Sequence, residues 1–390
     1  MQAHQNFDIV AGIPSFNNQN TISFVTKQIS TALESYSNHS KSMIIDCDGG
    51  STDNTIQKFL STKSKIKKRV LISRPGTTGK GNVLKLLFRY SQLAKANTII
   101  VNDADLRSIT PRWVKLQADS ISKKGYDYAA PIYSRYKYDG TITKHICYPL
   151  MYGLFCKDIR QPIGGDFALS SKLSNHWLKC NWPVNARLFG VDIFMTANAI
   201  LGGYKICQVN LKSKVHDVKD PAKTLSPMFR QVISTLFKII ISNPDKLKNL
   251  NSVDELPIIG GRGLGKPQSF EIDEEANKDR FLKGFLRRKE VIKNCIPDED
   301  YTKLRNMVVY DKIYIPSEWW AKLVYDYILA FKKYESRSST ILKSFIPLWF
   351  GRIYTFINET KNMGTKQAEA LVKKEAEEFF KKRDYLLDQL

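Results

Sequence analysis

Short apolar runs rich in β-branched residues recur through the first hundred positions, at residues 7–13 (FDIVAGI), 42–46 (SMIID), 70–73 (VLIS) and 98–103 (TIIVND). Between them, residues 19–36, 53–60 and 80–94 carry apolar positions at helical spacing, with Ile22, Val25, Ile29 and Leu33 on one face. Strands alternating with helices predict βαβ units and a mainly parallel sheet, an α/β fold. Polar residues gather just after each predicted strand: Ser15 and Asn17, residues 48–53, residues 74–80, and residues 103–105. Open α/β sheets bind ligands at the carboxyl ends of their strands, so these four clusters are expected to meet at one site.

The pattern loosens between about residues 125 and 220, where short runs are broken by Pro131, Pro149, Pro162 and Pro183. Residues 227–241 read as an amphipathic or buried helix. Residues 243–268 are polar and contain Gly260-Gly261-Arg262-Gly263-Leu264-Gly265, which reads as a linker or mobile loop. Beyond this the chain reads as helical. One face carries Trp319, Leu323, Tyr327 and Ala330, and another Ala368, Leu371, Val372, Ala376 and Phe379. The expected division is a catalytic domain over 1–245, a linker over 246–270 and a helical region over 271–390, with no internal repeat.

Composition narrows the class. The 390 residues carry 60 Lys+Arg against 38 Asp+Glu, a net +22, with 43% hydrophobic residues, which excludes a disordered chain. The excess of positive charge suits an anionic surface or a phosphorylated substrate. No zinc-finger spacing or RNP-type aromatic motif accompanies it, so nucleic acid is not an expected partner. The cysteines at 47, 147, 156, 180, 207 and 295 form no Cys-x-x-Cys and are expected as buried free thiols. The opening residues lack a signal-peptide layout, and no apolar run reaches the roughly 18 residues of a membrane span. A soluble, cytoplasmic chain is expected.

Five motifs could carry chemistry. Asn102-Asp103-Ala104-Asp105 follows an apolar strand and points two carboxylates to one side of a turn, a spacing suited to a hard divalent cation; a turn or helix cap is the plain alternative. Residues 46–55 (DCDGGSTDNT) place three acidic residues within eight positions, more than a capped strand-to-helix turn requires. Residues 76–82 (GTTGKGN) are not a Walker A loop, but their glycines let backbone N–H groups approach an anion beside Lys80. Residues 160–167 (RQPIGGDF) hold two glycines that permit close approach to backbone. His216, in Lys214-Val215-His216-Asp217, is a structural residue by default, as are His4, His39, His145 and His176.

Taken in order, these residues resemble the nucleotide-sugar glycosyltransferases of the GT-A fold. Pro14-Ser15-Phe16-Asn17, residues 48–53 (DGGSTD), Gly79-Lys80-Gly81-Asn82 and Asp103-Ala104-Asp105 match the family-2-like pattern over roughly the first 110 residues. Residues 138–143 (YDGTIT), 161–166 (QPIGGD), 190–192 (GVD) and 215–216 (VH) look like the retaining mannosylglycerate, glucosylglycerate and glucosyl-3-phosphoglycerate synthases of compatible solutes. The resemblance implies that Pro14, Ser15, Asn17 and Asp48 hold the nucleoside. Lys80 lies against the diphosphate with Asn82 nearby, and Asp103 and Ala104 stand at the ribose or sugar. Asp105 and His216 bind Mg²⁺ or Mn²⁺. Gly164, Gly165 and Asp166 shape the acceptor and sugar pocket, and Asp192 touches the donor sugar or an acceptor hydroxyl. Asp192 and Asp166 are the carboxylates to test, with Lys80, as catalytic groups. Two positions depart from the group: Pro131 stands where an Arg is common, with Arg135 as the substitute, and Asp166 stands where a Glu is common.

The implied activity is transfer of glucose or mannose from a nucleoside diphosphate to a small acidic acceptor such as D-glycerate or 3-phosphoglycerate, with retention, by a homodimer. Two alternatives stay open. One is the same donor chemistry on a lipid-phosphate or polysaccharide acceptor, with the basic helical region resting peripherally on a membrane. The other is a basic nucleotide- or nucleic-acid-binding module without turnover. A nicotinamide dehydrogenase is disfavoured, because residues 11–15 read AGIPS where a glycine fingerprint would stand.

Overall fold

A computed structural model describes residues 6–36, 39–74, 76–77, 79–215 and 221–390, of which 221–225 as backbone only. The chain divides into two compact units, each assembled from separate stretches. The first comprises residues 1–134, 160–219 and 256–268, and the second residues 135–159, 220–255 and 269–390. This differs from the expected contiguous division, since residues 135–159 and the helix Pro221–Ile241 go with the C-terminal helices.

The first unit is built on one eight-stranded sheet. Its strands are β1 Ile9–Ser15, β2 Ser42–Asp48, β3 Lys67–Ile72, β4 Thr98–Val101, β5 Tyr128–Ser134, β6 Phe167–Ser170, β7 Ile206–Ser213 and β8 Ile258–Ile259. They lie in the order β3-β2-β1-β4-β6-β5-β7-β8, and only β6 runs antiparallel to its neighbours. The four strands expected in the first hundred residues are β1 to β4. The helices Ile22–Glu34, Thr55–Ser61 and Lys80–Leu93 connect them as expected. Alternation along β1 divides the core: Ile9, Ala11 and Ile13 join Ile22, Val25, Ile29 and Leu33, with Trp113 and Val114 of the helix Pro111–Ser122. Each such fully buried aliphatic side chain is worth about 1.5–3 kcal/mol. Burial of β2 along its whole length, and of β1 at every position but Pro14, is what a parallel sheet covered on both faces requires.

The stretch that looked irregular supplies β5, β6 and β7. Pro131 sits inside β5, where a ladder would normally exclude it. It is tolerated because β6 pairs with β5 only at Tyr128 and Ala129, while Pro131 keeps its register with Val209 of β7. The expected linker is also corrected. Ile258 and Ile259 pair with Gln208 and Val209, and the glycine-rich segment that follows is fastened to the sheet. Asn210 Nδ2 donates to the carbonyls of Gly261 (2.6 Å) and Gly263 (3.0 Å), and Ser134 Oγ to that of Gly265 (2.8 Å).

The second unit is helical, with Glu274–Lys293, Asp298–Val309, Ser317–Lys333, Ser338–Thr360 and Thr365–Lys381 as its longer C-terminal members. Leu323, Tyr327 and Ala330 are buried as their spacing predicts, as are Ala368, Val372, Ala376 and Phe379, whereas Trp319 and Leu371 are half-buried. A charged network lies inside it. His145 Nδ1 is 3.0 Å from Glu375, and Arg352 bonds Glu375 (2.8 Å), Glu359 (3.1 Å), the Ile315 carbonyl (3.0 Å) and Ser317 Oγ (3.1 Å). All six cysteines are free thiols, five of them buried. Among the described residues no helix is long and apolar enough to cross a membrane.

Candidate active site

The order of the strands creates the site. From β1 the chain moves outward to β2 and β3, then returns to place β4 on the other side of β1. Such a switch point opens a crevice at the carboxyl ends of the strands. Ser15, Asp48 and Asp103 are delivered there by β1, β2 and β4. The antiparallel β6 starts where β4 ends, with Phe167 opposite Val101, so Asp166 arrives beside Asp103. Tyr133 and Lys214 come from the same ends of β5 and β7.

The centre of the site is an alternating ladder of charges. Lys80 opens the helix Lys80–Leu93, and its Nζ lies 2.8 Å from Asp103 Oδ1 and 3.3 Å from Asp192 Oδ2. Asp192 stands in the first turn of the helix Val191–Leu201. Lys214 Nζ takes the other oxygen of Asp103 (3.1 Å) and Asp166 Oδ2 (2.7 Å), with its ammonium 5.0 Å from the Tyr133 ring centre. Burial alone would push the Lys80 ammonium down, but Asp103, Asp192 and Asp166 hold it well above the ordinary lysine range. Burial pushes Asp192 up to about 6 against the pull of Lys80. Asp192 Oδ1 is buried and has no partner among the described residues.

Glycines make this packing sterically feasible. A methyl group on Gly165 would overlap the Asp103 carboxylate and stand 2.6 Å from Lys80 Nζ, so the backbone itself lies on the ion pair. At Gly79, where φ is +107°, a Cβ would come within 2.7 Å of the Arg187 carbonyl. The close contact of residues 186–188 with Gly79 and Gly81 is what brings Asp192 into line with Lys80.

On the β1–β2 side, two loops are laced together by side chain to backbone bonds. Asn17, at φ +54°, accepts from the Thr52 N–H (2.9 Å), while its own N–H donates to Ser51 Oγ (2.9 Å). The N–H groups of Asn18 and Gln19 donate to Thr55 Oγ1 (2.7 Å) and Asp53 Oδ2 (3.1 Å). Asp48 is fully buried: its Oδ1 accepts from the N–H groups of Gly50 and Ser51 (2.7 Å each), and its Oδ2 lies 3.2 Å from Ser15 Oγ. Ser15 Oγ also lies 2.5 Å from Asp46 Oδ1. Burial pushes the Asp46 carboxyl up to about 7, Ser15 opposes this, and the adjacent Asp48 reinforces it. Asp48 thus shapes the turn that the sequence assigned to the nucleoside. Pro14 and Asn82 are half-buried beside these groups in sequence, and Ala104 is buried.

Other expected residues are placed differently. Asp166 was expected to face an acceptor, yet it is fully buried and both oxygens are engaged. Oδ1 accepts the Asp103 N–H (2.9 Å), and Oδ2 accepts from the Tyr133 hydroxyl and Lys214. It therefore acts as an anchor for the Asp103 turn. Gly164 packs against the Pro131 ring. Arg135 belongs to the second unit, where its Nε is 3.3 Å from Asp139. Asp105 is half-buried two residues beyond Asp103. The Arg107 N–H donates to the Val215 carbonyl (2.9 Å), and the Val215 N–H donates to Ser108 Oγ (2.9 Å). His216 lies outside the described residues. Among the described residues no three His, Cys, Asp or Glu side chains form a ready metal cage. Asp103 and Asp105, two residues apart after β4, are hard oxygen donors of the kind a divalent cation takes together with phosphate and water.

Residues 11–174 match the family model for glycosyl transferase family 2. A comparison with curated protein sequences finds no match. Among solved structures, the chain is similar to the glucosyl-3-phosphoglycerate synthase from Mycobacterium tuberculosis in complex with Mn²⁺, UDP and glucosyl-3-phosphoglycerate. The identity is 22%, covering 61% of this chain and 80% of that one, with a TM-score of 0.49. The complex of that synthase with Mg²⁺ and UDP gives 23% identity over the same shares and a TM-score of 0.47. The family match spans β1 to β4, Lys80, Asp103, Asp105 and Asp166. The match of residues 11–174 to glycosyl transferase family 2, on a mainly parallel GT-A α/β sheet, supports a nucleotide-sugar glycosyltransferase.

Proposed function

We propose that this chain moves glucose or mannose from a nucleoside-diphosphate sugar to a small acidic acceptor such as D-glycerate or 3-phosphoglycerate, with retention and with Mg²⁺ or Mn²⁺. The observation that carries this reading is the ammonium of Lys80, buried against Asp103 and Asp192 at the switch point of a family 2 domain. An ammonium held charged and fixed in place is the preorganised partner that a departing diphosphate needs. Asp105, with His216, would hold the divalent cation, which supplies Lewis-acid stabilisation to the leaving group when bound. The laced loops after β1 and β2 would receive the nucleoside, with Ser15, Asn17 and the Asp48 turn as its rigid floor.

The reaction forms a bond between an acceptor oxygen and the anomeric carbon and breaks the bond from that carbon to the phosphate oxygen. In this reading the acceptor proton passes to the departing diphosphate on the same face. Asp192, ionised above about pH 6, orients the acceptor hydroxyl or the sugar. The chain's positive balance suits an anionic acceptor.

The test is release of nucleoside diphosphate from a panel of sugar nucleotides, with Mg²⁺, Mn²⁺ or chelator, with and without each acid. Metal-dependent release stimulated by one acid supports the proposal. Release indifferent to both acids redirects the acceptor to lipids or glycans. No release from any donor, or an Asp105→Ala variant as active as the parent, overturns it.

A further inference from the structure

Lys214 has no part in the reading above, yet it is the most enclosed cation of the site, with its side chain 6% exposed. It bridges Asp103 Oδ2 and Asp166 Oδ2, while Lys80 covers Asp103 Oδ1. Both oxygens of the first carboxylate in the Asp-Ala-Asp turn therefore carry an ammonium within 3.1 Å. We infer that Lys214 is a resident counter-cation that keeps this turn closed to a divalent cation until a diphosphate arrives. The two ions then bind together and not singly. This inference rests on the donor reading proposed above.

The argument is one of charge and stiffness. A divalent cation entering alone meets two fixed ammonium groups at close range, where partial burial keeps repulsion strong. A diphosphate brings several negative charges and offers Lys80 and Lys214 new partners, so the positive field over the turn is relieved and the cation can enter beside Asp105. Lysine suits such an exchange, because its ammonium is a compact charge on a flexible stem and not a rigid fork. Asp166 cannot follow Lys214, since the Asp103 N–H and the Tyr133 hydroxyl hold it in place. The exchange thus involves one moving side chain against a fixed anchor. By linkage, the cation must tighten the nucleotide by the same factor as the nucleotide tightens the cation.

Equilibrium dialysis of Mn²⁺ against the full chain tests this, without and with saturating UDP. The parent protein should bind Mn²⁺ weakly alone and about tenfold or more tighter with UDP. Lys214→Met should bind Mn²⁺ alone about tenfold tighter than the parent, shrinking the effect of UDP, while Lys214→Arg should keep the weak binding. Lys214→Gln repeats the measurement if the methionine variant fails to fold. Mn²⁺ affinity that is equal with and without UDP in a parent protein that binds UDP, or unchanged in both neutral variants, overturns the inference. If the neutral variants gain Mn²⁺ affinity while UDP binds to none of the proteins, the donor reading fails and the role of Lys214 stands.

Discussion

Two buried charge clusters, one in each unit, use opposite strategies. In the helical unit, His145, Arg352 and Glu375 are sealed at 0–1% side-chain exposure. Arg352 is satisfied on every side, and its charge and that of His145 hold Glu375 low although burial alone would raise it. At the sheet edge, Lys80, Asp103 and Asp192 keep 13–22% of their side chains exposed. There a carboxyl is pushed up to about 6 by burial against the pull of Lys80. The sealed cluster is a structural element whose charges gain nothing from a ligand. The open one is held in an unfavourable ionisation state that a ligand can relieve, as functional sites commonly are.

Breaking a single partner should separate the two. Arg352→Met leaves Glu375 and Glu359 without their counter-ion, and a loss of about 3–5 kcal/mol in denaturant unfolding is expected. Lys80→Met should instead cost about 10²–10³ in transfer rate, the size of one lost transition-state donor, with a melting temperature close to the parent. Gly165→Ala forces a methyl group onto the Asp103 carboxylate and should cost about 1–3 kcal/mol in stability together with donor affinity.

The pH dependence of stability sharpens the contrast, because the signs oppose. His145 is held low chiefly by burial, so its unfolded form takes up the proton first and stability falls as pH drops below the ordinary histidine range. Glu375, also held low, adds to that loss at lower pH. Asp192 is raised, so its contribution is present below the ordinary carboxyl range and is lost as pH rises through about 6. Asp192→Asn should therefore gain about 1–3 kcal/mol at pH 8 while losing activity, and gain little at pH 4. The smallest effect is expected at the laced loops. Asn17→Ala, measured by thermal unfolding, should cost about 0.5–1.5 kcal/mol through its bond to Thr52.

The alternation of FDIVAGI, SMIID, VLIS and TIIVND made the first four strands readable, and with them Asp48, Lys80, Asp103 and Asp105. The other half of the site was hidden for physical reasons. Strand β6 has four residues and runs against the rest, so it breaks the βαβ rhythm that guides the eye. Strand β5 carries Pro131, which argues against a strand unless its neighbour is known to stop short. With β5 and β7 unread, Tyr133 and Lys214 had no edge to stand on. The alternating run from Ile206 to Ser213, ending one residue before Lys214, was the available signal. Asp166 was found as a residue but not in its role, since burial and saturation of a carboxylate leave no mark in a motif. The glycine-rich segment after β8 looked loose for a similar reason: its bonds come from Asn210 and Ser134, distant in sequence.

The antiparallel β6 has a consequence for how this protein comes to be correct. Side chains alternate faces along a strand, so a slip of one residue would move Phe167 into the charged edge and Asp166 into the core. Either displacement is ruinous to the apolar packing around β4. Hydrophobic register therefore proofreads the electrostatic site: a chain that settles Phe167 opposite Val101 has already delivered Asp166 to Asp103. Misfolded molecules with a nearly complete charge ladder should be rare, and partial activity should not accompany partial folding.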